Sequence, residues 1–407
     1  MALTQTEAGP YRLVVITSWM FSHATAWAIA SGIGILLPSI SSEFQLSYTQ
    51  QGLISSVPIW ANIALAIPLS IWTTSYRPNI LTTVTLALGT LFVFLQASAS
   101  TFIILLASRL AFGLTMAARE PARVRLMQQW FPPREFLLVN GVTAGILCFV
   151  YSAILVATPL FLNAFSNDWR ATMYLFSGLF ALLAILWAIV GHQRVTQEYQ
   201  LRNTRKEASL LKGVLRHREL WMTGLGFLGA TLPCGAFLAF YPTFMLDWYN
   251  FPLTLSGLVL ALSFVVGGIT SFAINRIPTD WTSRAKVLYL FGLIMPCSYI
   301  VLLLSNSLPL LLIVAVVNGI TWAFFPILLT VIFHLSDLRI KEVPIAHAFM
   351  FTTFSLGMAT GPILTGFLHD TLDNPAAVLI CMSLPAFSIV VAGFSVRNLA
   401  YVTTHET

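Results

Sequence analysis

About twelve apolar segments of membrane-spanning length follow one another along the chain, and most are separated only by short polar turns. A helix that crosses a bilayer needs about 20 mainly apolar residues, and backbone groups in hydrocarbon must be hydrogen-bonded within their own segment. Charged residues make up 9% of the chain, whereas a soluble globular protein has roughly 25%. The sequence therefore predicts an all-α membrane protein with twelve transmembrane helices.

The predicted spans lie near residues 12–40, 49–75, 79–99, 102–130, 138–166, 170–192, 218–246, 254–277, 284–306, 308–336, 343–370 and 375–398. The first span is too long for the apolar core of a signal peptide and lacks its small-residue cleavage site. We therefore expect it to remain in the protein as helix 1.

Lys and Arg residues are distributed unevenly between the two ends of the spans. If the N-terminus is cytoplasmic, 16 of the 21 fall at cytoplasmic ends, Arg170 alone is external, and the other four lie within the fourth span. Basic residues accumulate on the cytoplasmic side of membrane proteins. The pattern predicts a multi-pass protein of a cell membrane, of the bacterial inner-membrane type, with both termini cytoplasmic. The net charge of +6 is thus a topology signal and does not indicate nucleic-acid binding.

One long polar segment, residues 193–217, has six predicted spans on either side. It is basic and mildly amphipathic, which favours a position along the cytoplasmic membrane surface. We therefore predict a first six-helix bundle over 1–192, a cytoplasmic linker over 193–217 and a second six-helix bundle over 218–407.

The starts of helices 2 and 8 resemble each other. The letters FQLS precede Gly52 and Leu53 in the first half, and FPLT precedes Gly257 and Leu258 in the second. Such repeats are typical of transporters that bind their substrate between two similar halves near the bilayer midplane.

Four short motifs, taken in order, resemble those of the major facilitator superfamily. They are R-x-x-x-G at 109–113, WFPPRE at 130–135, DWR at 168–170 and G-x-x-x-G-P at 357–362. The resemblance covers essentially the whole chain and implies the major facilitator fold. It also implies secondary transport by alternating access, with helices 1, 4, 7 and 10 lining a central cavity.

Two cytoplasmic positions depart from that family pattern. The loop between helices 2 and 3 has Thr74 where the family usually has an acid, and Asn275 precedes Arg276 in the second half. The cytoplasmic latch of the family is therefore expected to be weak. Within the superfamily, the chain has a faint similarity to cyanate and other anion porters, although the G-N-G signatures of nitrate porters are absent.

The fourth span contains four arginines and one glutamate, an arrangement that costs about 2.5–3.5 kcal/mol per charge at the centre of a bilayer. At 100° per residue, Arg109, Glu120 and Arg123 lie on one stripe of the helix, with Arg119 to one side and Arg125 nearly opposite. We predict that Arg109 and Arg123 bind substrate. The alternative is that Arg109 braces the bundle and that Arg123 and Arg125 reach the lipid headgroups.

Glu120 is the only acid in the interior of a predicted span, since the other fourteen acids lie in loops or at the ends of helices. It is therefore the leading candidate for proton coupling, although it could instead serve only to neutralise Arg123, three residues further on. His23 in helix 1, with a tryptophan four residues away on each side, is the second candidate; its alternative role is that of a packed hydrogen-bonding residue.

By the family resemblance, three other polar residues and His23 are expected to contact substrate: Tyr241, Asn318 and Trp322. Interhelical hydrogen bonding and ordinary aromatic packing are the alternative roles for each. Helix 7 contains several glycines and a proline, which suits a helix that bends as a gate.

The sequence favours a secondary transporter of a small solute over two other classes, and the charge balance favours an anionic solute. A transporter-like membrane sensor would usually carry signalling domains. An enzyme would need a nucleophile–base pair, metal-ligand cluster or phosphate loop, and we find no catalytic residue, metal site or cofactor motif. Efflux of hydrophobic or cationic compounds remains the transport alternative. We expect a monomer in contact with lipid, coupled to protons or working by exchange.

Overall fold

The computed structural model describes residues 11–73, 77–131, 135–191, 213–274, 281–335, 338, 342–372 and 374–405. Within these ranges the regular secondary structure is helical, with short turns between the helices. The helices of the first half are α1 (Tyr11–Ser31), α2 (Leu37–Phe44), α3 (Tyr48–Thr73), α4 (Pro78–Ala97), α5 (Phe102–Trp130), α6 (Phe136–Ala164) and α7 (Trp169–Val190). Those of the second half are α8 (Arg218–Tyr249), α9 (Leu253–Ala273), α10 (Trp281–Leu304), α11 (Leu308–Thr321), α12 (Phe324–Thr330), α13 (Val343–Thr371), α14 (Pro375–Ser383) and α15 (Ser388–His405).

These helices confirm the predicted all-α membrane fold. Among the described residues, eleven segments are long and apolar enough to cross a membrane. Helix α3, the second span in chain order, has 26 residues and is also long enough to cross a membrane. It brings the number of described helices of spanning length to twelve. The fourth span, residues 102–130, is predicted with the bounds that the structure gives to α5.

Three spans are not single α-helices. The first continues from α1 through a 3-10 segment, Gly32–Ile35, into α2. The tenth is interrupted between α11 and α12, because Pro326 cannot donate a hydrogen bond to the carbonyl of Trp322 four residues earlier. That carbonyl accepts instead from the backbone N–H of Phe325 at 3.0 Å, and also from the Ser271 hydroxyl of α9 at 3.4 Å. The twelfth is divided by a 3-10 turn, Leu384–Phe387, between α14 and α15.

Helix α8 is continuous over 32 residues although it contains Pro233 and Pro242. Its glycines lie where neighbouring helices come close. A Cβ on Gly229 would stand 2.3 Å from the Pro385 carbonyl oxygen, and one on Gly235 would stand 2.4 Å from that of Met358. In this conformation the glycines of the predicted bending gate therefore permit close helix packing.

Residues of the DWR motif cap the start of α7 and connect it to the end of α2. Asp168 accepts a hydrogen bond from the backbone N–H of Arg170 at 2.8 Å. The Arg170 guanidinium pairs with Glu43 at 2.5 Å, and the Trp169 indole donates to the same carboxylate at 2.6 Å. Partial burial raises the pKa of Glu43, but the hydrogen bonds from Arg170 and Trp169 outweigh it, so the pKa lies below its ordinary value.

Both ends of the described chain lie at the same end of the molecule. The Tyr11 hydroxyl donates to the carbonyl of Val190 at the end of α7, and Ser395 on α15 contacts the carbonyl of Glu219 at the start of α8. We call the opposite end, where α3 begins and α13 ends, the distal end. Helices α1–α7 are called the first bundle and α8–α15 the second.

The two bundles meet through two similar close contacts. A Cβ on Gly52 of α3 would stand 2.4 Å from the Pro362 carbonyl oxygen of α13, and one on Gly257 of α9 would stand 2.4 Å from that of Leu155 on α6. These are the glycines that the repeated sequence pattern singles out. Only glycine allows backbones to approach so closely.

Three predictions fall partly or wholly outside the described residues. They concern most of the 193–217 linker, Thr74 and the Asn275–Arg276 pair. The division of the chain into 1–192, 193–217 and 218–407 stays a prediction.

Candidate functional site

Arg109 is fully buried inside the first bundle. Its Nε donates to the Ile54 carbonyl of α3 at 2.6 Å, and one terminal nitrogen donates to the Ala30 carbonyl of α1, also at 2.6 Å. The other terminal nitrogen donates to the Gln96 side-chain oxygen of α4 at 3.2 Å. All three guanidinium nitrogens are thus engaged by neighbouring helices, an arrangement that favours the bracing role.

The local sequence explains why a guanidinium is needed here. Pro58 has no N–H, so it leaves the Ile54 carbonyl without its partner four residues later in α3. Ala30 is in the last turn of α1, where carbonyls lack an α-helical partner. Gly113 lies one turn after Arg109 in α5. A Cβ at this position would stand 2.4 Å from the Pro58 carbonyl oxygen, so glycine allows α5 to pack closely against α3 here. The R-x-x-x-G motif therefore packs α5 against the proline of α3.

The remaining charges of α5 have different surroundings. Arg119 is buried, with its guanidinium carbon 5.8 Å from the centre of the Phe180 ring of α7, a cation–π distance. Arg123 is partly exposed. Glu120 and Arg125 are described only as part of the helix backbone, so their side-chain roles stay predictions.

His23 lies between two tryptophans of α1, as the spacing predicts. Its ring stacks on that of Trp19, with centroids 4.7 Å apart, and meets Trp27 edge-on at 6.3 Å. His23 is partly buried and Trp19 fully buried. These ring contacts fit the interpretation of His23 as a packed residue. The role of His23 in proton coupling stays a prediction.

Asn318 and Trp322 come together in the second bundle, at the end of α11. Asn318 is buried and donates to the Ser298 hydroxyl of α10 at 2.8 Å. Tyr299, the next residue of α10, is also buried and lies beside this contact in the chain.

Tyr241 joins the same region through aromatic contacts. Its ring stacks on Phe237, one turn earlier in α8, with centroids 5.7 Å apart, and Phe237 lies 4.4 Å from the Tyr299 ring. The Tyr241 hydroxyl is buried and has no hydrogen-bond partner among the described residues. Such a hydroxyl is normally satisfied by a water molecule or a ligand.

Aromatic contacts also connect this region with the first bundle. Tyr151 of α6 donates to the Ser31 hydroxyl of α1 at 3.0 Å, and its ring stacks on Phe264 of α9 at 5.0 Å. Phe264 in turn stacks on Trp322 at 6.3 Å. We call Tyr151, Phe264, Tyr299, Asn318 and Trp322 the central cluster; it reaches both bundles at their interface.

The central cluster provides aromatic faces, hydroxyls and an amide, which can bind a polar organic solute by stacking and hydrogen bonds. The sequence analysis did not single out Tyr299 and Phe264, because an aromatic residue in an apolar span usually serves only for packing. What distinguishes them is their position facing helices 7 and 10. Among the described residues, no group of His, Cys, Asp or Glu side chains is suited to holding a metal ion.

The model of the Major Facilitator Superfamily matches residues 19–339, and the chain belongs to that family. It is a multi-pass membrane transporter and not an enzyme, as the names of its relatives also indicate.

Three bacterial relatives are similar to parts or most of the chain. The transporter YybO of Bacillus subtilis is 25% identical over 61% of this chain and 60% of its own length. The probable L-galactonate transporter of Escherichia coli is 21% identical over 90% of this chain and 85% of its own. The hexuronate transporter of Bacillus subtilis is 23% identical over 68% of each.

Solved structures share the fold. The nucleoside transporter NupG has a TM-score of 0.72 at 14% identity, covering 97% of this chain and 98% of its own. A bacterial homologue of the human lysosomal transporter Spinster also reaches 0.72, at 16% identity, over 97% and 96%.

Proposed function

We propose that the protein is a secondary active transporter that moves a small organic anion of the sugar-acid class by alternating access. Two relatives carry the names of L-galactonate and hexuronate transporters, and these substrates are carboxylates that bear several hydroxyls. The observation that carries the proposal is the positive charge of α5, with four arginines and a single glutamate.

The arginines differ in how they could serve such a substrate. Arg109 is fully engaged by the bundle, whereas Arg123 is partly exposed on the predicted stripe. We assign carboxylate binding to Arg123, since a guanidinium binds a carboxylate through two parallel hydrogen bonds. The central cluster would bind the hydroxyls and the apolar face of the sugar chain, with Tyr241 supplying a further hydroxyl.

Glu120 is the proposed proton carrier. It precedes Arg123 by one helical turn, so proton and substrate would influence each other's affinity through the same guanidinium. Reciprocal coupling of this kind is what uptake driven by a pH gradient requires. His23 is the second candidate for the proton site.

Two variants of one helix test the proposal in proteoliposomes, after a thermal-shift screen against glucuronate, galactonate, nitrate, cyanate and a cationic dye. Arg123→Gln should weaken glucuronate binding about ten- to a hundredfold, because a hydrogen bond to a charged group is worth ~1.5–3 kcal/mol. Glu120→Gln should still exchange glucuronate but no longer accumulate it under a pH gradient. Arg125→Gln, on the opposite side of the helix, is the control and should behave like the unmodified protein.

The outcomes separate the parts of the proposal. A preference for the cationic dye in the screen would favour efflux and overturn the anion assignment. Unchanged binding by folded Arg123→Gln would make Arg123 a headgroup anchor. Full pH-driven accumulation by Glu120→Gln would remove it as the proton site.

A further inference from the structure

At the distal end, Asp370 of the second bundle contacts the first turn of a helix in the first bundle. One carboxylate oxygen accepts from the backbone N–H of Tyr48 at 3.0 Å. The other accepts from the N–H of Thr49 at 2.8 Å and from its hydroxyl at 2.6 Å. Tyr48 and Thr49 are the first two residues of α3, and Asp370 is next to last in α13.

The first turn of α3 is otherwise capped by its own residues. The Ser47 hydroxyl accepts from the N–H of Gln50, and the Gln50 side chain accepts from the N–H of Ser47. This capping box leaves the first two N–H groups of the helix without a partner. Asp370 accepts from those two groups, and its negative charge lies at the positive end of the helix dipole.

Three other distal helix starts obtain their side-chain caps locally. Thr101 caps α5, Asp168 caps α7 and Asn374 caps α14, each from the residue just before its own helix. The cap of α3 by Asp370 is different because it joins the two bundles. Separation of the bundles at this end must therefore expose two N–H groups of α3 and a carboxylate to water.

Neighbouring contacts align with the same junction. The rings of Tyr48 and His369 stack with centroids 3.5 Å apart. A Cβ on Gly366, one turn before Asp370, would stand 2.2 Å from the Tyr48 carbonyl oxygen. The ends of α3 and α13 are thus in close contact, and the carboxylate is held in position by the backbone packing.

We propose that Asp370 is a latch between the bundles, which stabilises the state closed at the distal end by capping α3 across the interface. This inference rests on the alternating access of the proposed function. It adds a residue that shifts the equilibrium between the two states of the transport cycle. Loss of the carboxylate charge should move the population toward the state that is open at the distal end.

Distances between spin labels test the latch without a substrate. In a protein whose four cysteines are replaced by alanine, one label pair at Ser100 and Asn306 reports on the distal end. A second pair at Arg77 and Thr282 reports on the opposite end. All four positions are exposed at helix ends or in turns.

Asp370→Asn should raise the distal-open fraction about three- to tenfold, since a capping charge and its hydrogen bonds have effects of that order. The distal pair should shift to longer and the other pair to shorter distances. Asp168→Asn, which alters a cap within the first bundle, is the matched control and should leave both distributions unchanged. Thr49→Val, which removes one of the three donors, should give a smaller shift in the same direction.

Distributions of Asp370→Asn that match those of Asp168→Asn would overturn the latch. If Asp370→Asn does not fold, an unshifted Thr49→Val would overturn it equally. Because the labels need no substrate, a protein that fails to transport sugar acids but shows the expected shift would refute the proposed substrate and leave the latch standing.

Discussion

Arg109 shows how a charge within an apolar span can be stabilised without a counter-ion among its hydrogen-bond partners, by two main-chain carbonyls and one side-chain amide. Its nitrogens contact three different helices, and two of its acceptors are carbonyls that lack a regular helical partner. A guanidinium suits this position because it spreads its donors over a rigid plane, whereas an ammonium is a compact point charge. The guanidinium thereby substitutes for the missing N–H of Pro58.

This relationship predicts coupling between Arg109 and Pro58. Arg109→Met should destabilise the protein by about 2–4 kcal/mol, because buried acceptors on three helices lose their donors. Pro58→Ala restores an N–H that can bond to the Ile54 carbonyl, so the double variant should be at least ~1 kcal/mol more stable than the two single changes predict. Unfolding by SDS in mixed micelles measures all four proteins. Strict additivity would show that the proline does not create the need for the arginine.

At this scale, the sequence predicts the residue types of a polar interior better than their partners. Periodicity places Arg109 on an inward stripe of the helix. Whether its guanidinium binds substrate or main-chain carbonyls depends on how α1, α3 and α4 are positioned along α5. Asp370 is read from the sequence only as an acid at an external helix end. Its contact with α3 cannot be foreseen, because it depends on how the two bundles meet.

Among the elements, α5 and α3 are in close contact where Gly113 faces Pro58. Gly113→Ala should destabilise the protein by about 1–3 kcal/mol, because the added carbon would overlap a backbone carbonyl that cannot move aside alone. Gly178→Ala in α7 is the control, since a Cβ there meets nothing within 4 Å. The control should be neutral or up to ~1 kcal/mol more stable, given the helix propensity of alanine. Equal thermal stability of the two variants would contradict the packing role of Gly113.

Helix α13 packs against both bundles through one glycine-rich stretch. Gly357 and Gly361 face the Leu228 and Leu232 carbonyls of α8 in its own bundle, whereas Gly366 faces Tyr48 of the other. The G-x-x-x-G-P motif is recognisable in the sequence, but the different partners of its glycines are not. A glycine permits close packing without indicating which helix will pack against it.

For the whole molecule, the orientation in the membrane is a prediction that labelling can test. Cysteines introduced singly at Ser166 and Asn203 in a cysteine-free protein should react with an impermeant maleimide from opposite sides of the membrane. The reason is that basic residues at the span ends favour cytoplasmic termini. Ser166 should react in intact cells and Asn203 only after permeabilisation. Reaction of both from the same side would exclude the proposed topology.

The overall fold is predictable because the bilayer leaves few alternatives: each apolar run must be a helix, and charge asymmetry orients the series. The interruption at Trp322 has a signal in the sequence, Pro326. The 3-10 segment Gly32–Ile35 is harder to predict, because it lies within apolar sequence and packs against a helix far away in the chain, where Gly34 approaches the Leu238 carbonyl.

The pairing of Pro58 with Arg109 also constrains the order in which a lineage could lose these residues. A change of Arg109 first would leave the Ile54 carbonyl buried and unsatisfied. A change of Pro58 first would restore the helical hydrogen bond and release the arginine from one of its three contacts. Loss of the proline before the arginine is therefore the less destabilising of the two orders.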